Sequence, residues 1–497
     1  MDRLKLLKDI SFGARVAEDE TGELARYFVE TDQWSRIFKG EVDIVRGEKG
    51  AGKSAIYSLL VARENELFDK SVLLLTGERP RGATVFKDLV SQPPTSEQEF
   101  IGLWKLYIVS LVGQKIKELG FDDGGGKELV RLLEDQGLIE NNFDLSRVFK
   151  QVRTYVSRWF NARSVEGSMT VEPHTHYPVG SFKITAGEPD AEEQKAGATS
   201  VDSLAELANK AMAKAGYTVW VLLDRLDVAF VESHDLEKNA LRALFRVYRD
   251  FGALDSIKLK IFLRSDIWKR IVDGGFREAS HITRVAELEW NQGSLLNLIV
   301  RRLLNNDELI QQYKIDKAEI LGSLDKQQQF FYQVFPRQVE QGSKRRTTLE
   351  WIISRCADGK SLTAPREVIH LVSAAREKEI ERLELGAVAN DEDELFDSTV
   401  FKPALAIVSE ARLVQTIYAE YDDLKSSIES LEGEKTEQTL ESLSSIWGTD
   451  ENGAAKITER LIEAGFFQAR GQRDKPTYWV PFLYRDALSM SQGLAEE

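Results

Sequence analysis

The sequence predicts an α/β fold: a parallel sheet with helices on both faces, then a helical segment, then a small C-terminal domain. Three observations predict it. Short unbroken apolar runs alternate with stretches of helical period, the pattern of buried strands joined by crossover helices. One such run opens into a glycine-rich segment, Gly47-Glu48-Lys49-Gly50-Ala51-Gly52-Lys53-Ser54, which in turn opens a helix. The composition is that of an ordinary globular protein, with 42% hydrophobic and 30% charged residues over 497 positions, enough for roughly three domains of ~150 residues.

Taken in order, residues 1–40 read as a polar helical lead-in. Val42-Asp43-Ile44-Val45-Arg46 is the first strand. The helix from Ser54 puts Ile56, Leu59 and Leu60 on one face, and Ser71-Val72-Leu73-Leu74-Leu75 is the second strand. Residues 96–160 read as mostly helical, interrupted at Gly124-Gly125-Gly126. Residues 168–185 alternate like a hairpin, and 186–200 read as a loop rich in turn residues. A helix over 201–215 leads to a strand over 218–223, a helix over 235–251 leads to a strand over 259–263, and 286–290 is a short last strand. From 292 to 382 the period is helical. The acidic run Asp391-Glu392-Asp393-Glu394 marks a solvated linker before a last domain at 401–497.

The net charge is −15 and the sequence pI about 5.2, so nucleic-acid contact is expected only through a local patch. One cysteine, Cys356, excludes an internal disulfide and a cysteine-built zinc site. No long apolar leader follows Met1 and no apolar run approaches the ~18 residues of a membrane span. A cytoplasmic location without membrane contact is expected.

The glycine-rich segment is a full G-x-x-x-x-G-K-[ST] pattern in its strand–loop–helix context. Gly50 and Gly52 let the backbone aim successive N–H groups at phosphate oxygens, and the helix adds its positive N-terminal end. Lys53 would bridge the β- and γ-phosphates, and the Ser54 hydroxyl would ligate Mg²⁺. Gly47, Gly50, Ala51, Gly52, Lys53, Ser54 and Ala55 are the expected nucleotide contacts.

Such a site needs a carboxylate at a neighbouring strand end to hold the metal's hydration shell. Asp224 closes the 218–223 strand and is placed for that, so Ser54 and Asp224 form the expected metal pair. The next residue is Arg225 where many ATPases carry a water-polarising glutamate. Asp227 is the nearest spare carboxylate, either a base or a cap of the following turn. The 259–263 strand, following the Asp224 strand and ending in polar residues, is expected to slot between the loop strand and the Asp224 strand. No guanine-specifying N-K-x-D is found, since Asn209-Lys210 continues into Ala211-Met212; ATP is the expected nucleotide. Arg264 at that strand's tip is a candidate γ-phosphate sensor, against a plain salt bridge with Asp266. Arg366 follows Pro365 at a helix start and is a second candidate, reaching back from a helical lid. Arg270, Arg277 and Arg284 are candidates for an arginine acting on a neighbouring subunit's site.

In the last domain, 437–447 and 452–464 read as two helices ended at Gly465, followed by a hairpin. Helix–turn–helix plus hairpin resembles a winged helix, a fold that commonly binds DNA. From 411 onward, however, nine Lys and Arg face sixteen Asp and Glu. Only the hairpin, with Arg470, Arg473 and Lys475, is locally basic.

Residues 47–54, Asp224-Arg225-Leu226-Asp227, Arg264 and Pro365-Arg366 together resemble the AAA+-related signal-transducing P-loop ATPases, near the STAND, KAP and origin-recognition-like groups. More narrowly, Ser11-Phe12-Gly13, Tyr27-Phe28-Val29, Lys49-Gly50-Ala51-Gly52-Lys53-Ser54-Ala55 and the 224–227 tetrad are similar to a family of little-characterised bacterial P-loop ATPases, also found in cyanobacteria. The resemblance spans roughly residues 10–380. It implies a P-loop NTPase core at 41–290 with an insertion at about 96–200, a helical lid at 291–385, and the winged-helix-like domain. It implies an ATP-driven, Mg²⁺-dependent switch, often homo-oligomeric or paired with an effector protein, of a kind serving bacterial signalling or phage defence. A nucleotide-binding regulator that does not hydrolyse, and a DNA-binding initiator or loader, are the alternatives. His174-Thr175-His176 lacks a third metal ligand nearby. Cys356 and the scattered tryptophans, Trp220, Trp290 and Trp479 among them, read as packing residues.

Overall fold

The computed structural model describes residues 3–495 apart from 14–27, 29–30, 79–83, 87–93, 95, 141–143, 167–183, 187, 196, 227–233, 274, 388–393 and 473–474. The chain divides into two compact units. A sheet unit comprises Thr31–Glu48 and Lys53–Leu288; a helical unit comprises Met1–Glu30, Lys49–Gly52 and Glu289–Glu497.

The strands of the sheet unit are β1 (Ile44–Gly47), β2 (Val72–Thr76), β3 (Ile184–Thr185), β4 (Thr199–Ser200), β5 (Thr218–Leu223), β6 (Ile257–Arg264) and β7 (Val285–Glu287). Five of them form one sheet in the order β2-β5-β6-β1-β7, and every pairing is parallel. The strand expected between the loop strand and the Asp224 strand is there: β6 pairs with β1 on one side and with β5 on the other. The inner strands are apolar on both faces, as burial under helices on both sides requires. Val219, Val221, Leu222 and Leu223 of β5 and Leu259, Ile261, Phe262 and Leu263 of β6 are all buried.

The helix Glu97–Leu119 is buried on nearly every side. It is capped by Ser96, whose side chain accepts from Glu99 N, and stopped by Gly120 at φ +68°. Its one buried cation, Lys105, is paired with Asp202 at 2.7 Å and Asp250 at 2.8 Å, as a desolvated ammonium must be. Trp104 donates its indole N–H to Ala240 O at 2.9 Å, and Tyr107 its hydroxyl to Gly77 O at 2.7 Å. The predicted break at Gly124-Gly125-Gly126 is seen, with the next helix running Gly126–Asp135. The stretch 186–200, expected as loop, instead holds a short helix, Ala191–Lys195, and β4, which pairs parallel with β3. The local reason is capping: Ser200 Oγ accepts from Ser203 N at 3.1 Å to start the helix Val201–Ala215, which fixes the extended residues before it. Most of the hairpin expected at 168–185, with His174 and His176, lies outside the described residues. Its last two residues, Ile184–Thr185, pair instead with Thr199–Ser200.

The helical unit has its own core, drawn from Gln292–Leu303, Leu324–Val334, Thr348–Arg355, Pro365–Glu384 and Phe401–Arg412. The N-terminal helix Arg3–Asp9 belongs to it: Arg376 donates to Leu7 O at 2.6 Å and Lys8 O at 2.9 Å. Its four-stranded sheet has the order β11-β8-β10-β9, with β8 Lys435–Gln438, β9 Gln468–Gln472, β10 Lys475–Trp479 and β11 Ser491–Leu494. The two predicted helices run Leu440–Trp447 and Glu451–Glu463. Glu437 and Gln438, expected to begin the first, belong to β8. A capping box sets the boundary: Thr439 Oγ1 accepts from Ser442 N at 3.1 Å, and Ser442 Oγ accepts from Thr439 N at 2.9 Å. The β9–β10 hairpin is present, although Arg473 and Asp474 at its tip lie outside the described residues.

Candidate functional site

In an open parallel sheet, ligand chemistry gathers where the carboxyl ends of the strands meet the following loops. Here those ends carry Gly47 (β1), Glu78 just beyond β2, Asp224 just beyond β5, Arg264 (β6) and Glu287 (β7). Gly47 and Arg264 are register partners.

Two backbone angles shape the glycine-rich loop. Gly50 has φ +81° and Gly52 φ +100°, conformations that side chains rarely adopt. The loop ends on the helix Lys53–Ala62, whose Ile56, Tyr57, Leu59 and Leu60 are buried. Lys53 Nζ donates to Gly47 O at 2.8 Å and to Glu48 O at 3.0 Å, folding the ammonium over its own loop. Ser54 Oγ donates to Asp224 Oδ2 at 3.1 Å. Asp224 is only 6% exposed. Within the sheet unit the structure therefore brings together the two oxygen donors expected at a divalent cation, a hydroxyl and a carboxylate. That donor set fits hard-cation chemistry. Arg225 follows at φ +55°, a left-handed conformation uncommon for such a side chain. Asp227 lies outside the described residues.

Tyr57 reports the local field. Its hydroxyl donates to Glu78 O at 2.7 Å. Burial, then the carboxylates of Asp224 and Glu78, push its pKa far above the ordinary tyrosine value, so it stays protonated.

Arg264 stands at the predicted strand tip, and its guanidinium makes a two-point pair with Asp266 at 3.0 and 2.8 Å. Glu287, at the end of β7 beyond β1, is ion-paired with Arg46 at 3.0 Å and accepts from Ser265 Oγ. Two of the candidate trans-acting arginines are held within the unit. Arg270 pairs with Glu237 at 2.7 Å. Arg284 pairs with Asp43 at 2.6 Å, at the amino end of β1, the end opposite the loop. Asp43 also takes Lys260 at 2.7 Å and the Tyr248 hydroxyl at 3.1 Å.

Within the helical unit, the loop tip meets the start of the helix Pro365–Glu384. A Cβ built on Gly50 would lie 3.3 Å from Ala364 Cβ, 3.4 Å from Arg366 Cβ and 3.7 Å from Glu367 Oε2. Arg366 is thus beside the loop tip, with Pro365 at the first helical position as predicted. Its sequence neighbour Glu367 accepts from Arg412 at 2.8 Å, and Glu350 accepts from Thr347 N at 3.0 Å. Trp290 donates its indole N–H to Ala51 O at 2.9 Å, and Lys49 pairs with Glu420.

Sequence reasoning missed two carboxylates. Glu78 is fully buried; its carboxylate accepts from Thr84 Oγ1 at 2.6 Å and from Val85 N at 3.2 Å. The signal was available, because an acid just beyond an apolar strand is what singled out Asp224. Glu367 is 4% exposed and carried no such signal. Cys356 is buried in the helical core, as expected, and burial raises its thiol pKa. Trp220 is buried, but Trp479 is only half-buried and packs against two arginines.

The fold and these strand ends define an α/β protein with a five-stranded parallel sheet flanked by helices. The chain matches no protein-family model and no curated protein sequence.

Proposed function

We propose that this chain is a Mg²⁺-dependent ATP-binding and ATP-hydrolysing switch with a P-loop NTPase core, of the AAA+/STAND kind its motifs resemble. The observation that carries the reading is the Ser54–Asp224 contact at 3.1 Å, Ser54 following in sequence a loop with two left-handed glycines. Lys53 would leave its loop carbonyls for the phosphates. Ser54 and Asp224 would hold the hydrated cation. Arg264 and Arg366 would sense the γ-phosphate, and Asp227 would orient the attacking water. The C-terminal helices and hairpin are read as a winged-helix-like domain serving packing or a partner. The charge balance supports that over DNA, as does Arg460 of the second helix, which is paired with Asp423.

Calorimetric titration of ATP with Mg²⁺ tests the reading. Lys53→Ala should abolish binding, and equal affinity in the two proteins refutes it. Turnover then separates switch from silent regulator. Asp227→Asn should retain binding and lose hydrolysis. A folded Arg366→Ala protein should show a smaller ratio of ATP to ADP affinity. One charge-assisted hydrogen bond is worth roughly 1.5–3 kcal/mol, or about 10–150-fold.

The second reading, a regulator that binds nucleotide and does not hydrolyse it, is favoured by Arg225 standing where a water-polarising glutamate is common.

A further inference from the structure

A cavity of about 570 Å³ opens in the helical unit between the turn after the helix Thr348–Arg355 and the C-terminal sheet. That is the size of a small-molecule site. Its wall is cationic: Arg346, Arg470 and Arg485 line it, with the aromatic rings of Trp479 and Phe482.

The arginines are built into a layered stack. Arg470 lies 3.6 Å from the Trp479 ring centroid, and Arg485 lies 4.6 Å from that same ring and 4.1 Å from Phe482. Arg355 lies 3.5 Å from Phe482. Aromatic faces hold guanidiniums in place without neutralising them. Arg485 is only 8% exposed; its Nε donates to Val480 O at 2.8 Å, while its Nη2 has no hydrogen-bond partner among the described residues. The wall also carries two acids, whose hydrogen bonds come from neutral donors, so three guanidiniums stand against two carboxylates. Glu437 accepts from Thr477 Oγ1 at 2.6 Å, and Asp358 accepts from Lys360 N at 2.9 Å and Leu362 N at 3.0 Å. Burial, then the like charges of Arg355 and Arg470, pull the Arg485 pKa down to about 10 against the weaker opposing pull of Asp486 and Glu437. A buried guanidinium donor left without a partner beside like charges is costly unless an anion completes it.

We infer that this cavity is a binding site for a small, multiply charged phosphate compound, separate from the glycine-rich loop. Forked guanidiniums match phosphate oxygens in pairs. A nucleic-acid strand fits less well: the positive charge is concentrated in a concave pocket, in a region where acids outnumber bases.

The test uses the full chain carrying Lys53→Ala, titrated with sodium pyrophosphate at low salt by calorimetry. Saturable one-to-one binding is expected, weakened about tenfold or more by adding Arg470→Gln, an exposed position whose variant is checked for an unchanged circular dichroism spectrum. Arg485→Lys is the second variant, checked for an unchanged circular dichroism spectrum. If it does not fold, Arg470→Gln alone decides. Loss of affinity in a folded variant supports the site. No saturable binding, or affinity unchanged in every folded variant, overturns it. So does a single-stranded oligonucleotide that binds through Arg470 where pyrophosphate does not.

Discussion

Ser54 Oγ and Asp224 Oδ2 are 3.1 Å apart although 170 residues separate them in sequence. The sheet order explains the meeting. β1 and β5 flank β6 in parallel, so residues just past their carboxyl ends emerge on the same edge with one strand between them. A hydroxyl and a buried carboxylate are left facing each other, the one on a helix start and the other on a strand end.

Replacing Asp224 with asparagine keeps an acceptor for Ser54 but removes the charge. If the pair holds a cation, Asp224→Asn should weaken ATP binding only when Mg²⁺ is present, by about 10–150-fold for an interaction of roughly 1.5–3 kcal/mol. Ser54→Ala should act in the same direction. Titrations with Mg²⁺ and with EDTA check this; equal losses in both would mean the acid serves the fold rather than a metal.

Gly50 combines a left-handed φ of +81° with an Ala364 Cβ that would lie 3.3 Å from any new Cβ. Gly50→Ala should therefore cost about 1–2 kcal/mol from the backbone alone, plus a crowding term. Ala364 is the N-cap of its helix, a position where glycine is better tolerated than alanine. Adding Ala364→Gly should recover the crowding part and leave the backbone part. Denaturant midpoints of the two variants and the wild type measure it, and no recovery would place the strain elsewhere.

The parts legible in the sequence are those fixed by local signals. Helix Val201–Ala215 and strand Thr218–Leu223 appear at their predicted limits, because Ser200 caps the start, Gly216 at φ +79° ends the helix, and an apolar run follows. The phosphate-loop pattern and Asp224 were legible for the same reason, each being a short motif at a strand end. For Arg366 the sequence proposed only an arginine reaching back from a lid; that the helix start packs on Gly50 itself was not legible, since it depends on how distant helices pack. Strand β8 was misread because Lys435-Thr436-Glu437-Gln438 is polar and has no alternation to announce a strand. Its burial pattern comes from β10 and β11 on either side.

Asp397 supplies a prediction in pH. Its Oδ1 accepts from Thr399 N at 2.8 Å and Thr399 Oγ1 at 2.6 Å, capping the turn Ser398–Val400. Burial pushes its pKa up, but the bonds from Thr399 and the nearby Arg382 outweigh this and hold it below the ordinary carboxylate value. A depressed folded-state pKa stabilises above the unfolded value, about 3.9, and that stability is lost as pH falls through the folded value. Asp397→Ala should cost about 1 kcal/mol at neutral pH, and the gap to wild type should shrink below about pH 3.9. Denaturant titrations at pH 7 and pH 3 check the sign; a gap that widens in acid contradicts the assignment.

The last prediction concerns the buried pair at the start of the helix beside Gly50. Glu367 occupies the first turn of Pro365–Glu384, where the helix end favours a carboxylate. Arg412, at the end of Phe401–Arg412, donates to it at 2.8 Å. Burial alone would lower the Arg412 pKa, but Glu367 and then Tyr484 reverse this, so the guanidinium is held firmly charged. The pair is not fully satisfied: Glu367 Oε2 and Arg412 Nε have no hydrogen-bond partner among the described residues. A buried ion pair of this kind adds little over an apolar replacement, yet removing one partner leaves a naked charge. Arg412→Met should therefore destabilise by about 3–5 kcal/mol. Glu367→Gln with Arg412→Met should cost clearly less than the sum of the two single changes. The measurement is a double-mutant cycle by denaturant unfolding of the full chain. Additive single effects would mean that the two charges do not depend on each other, and that the helix end beside the loop is held by its apolar neighbours alone.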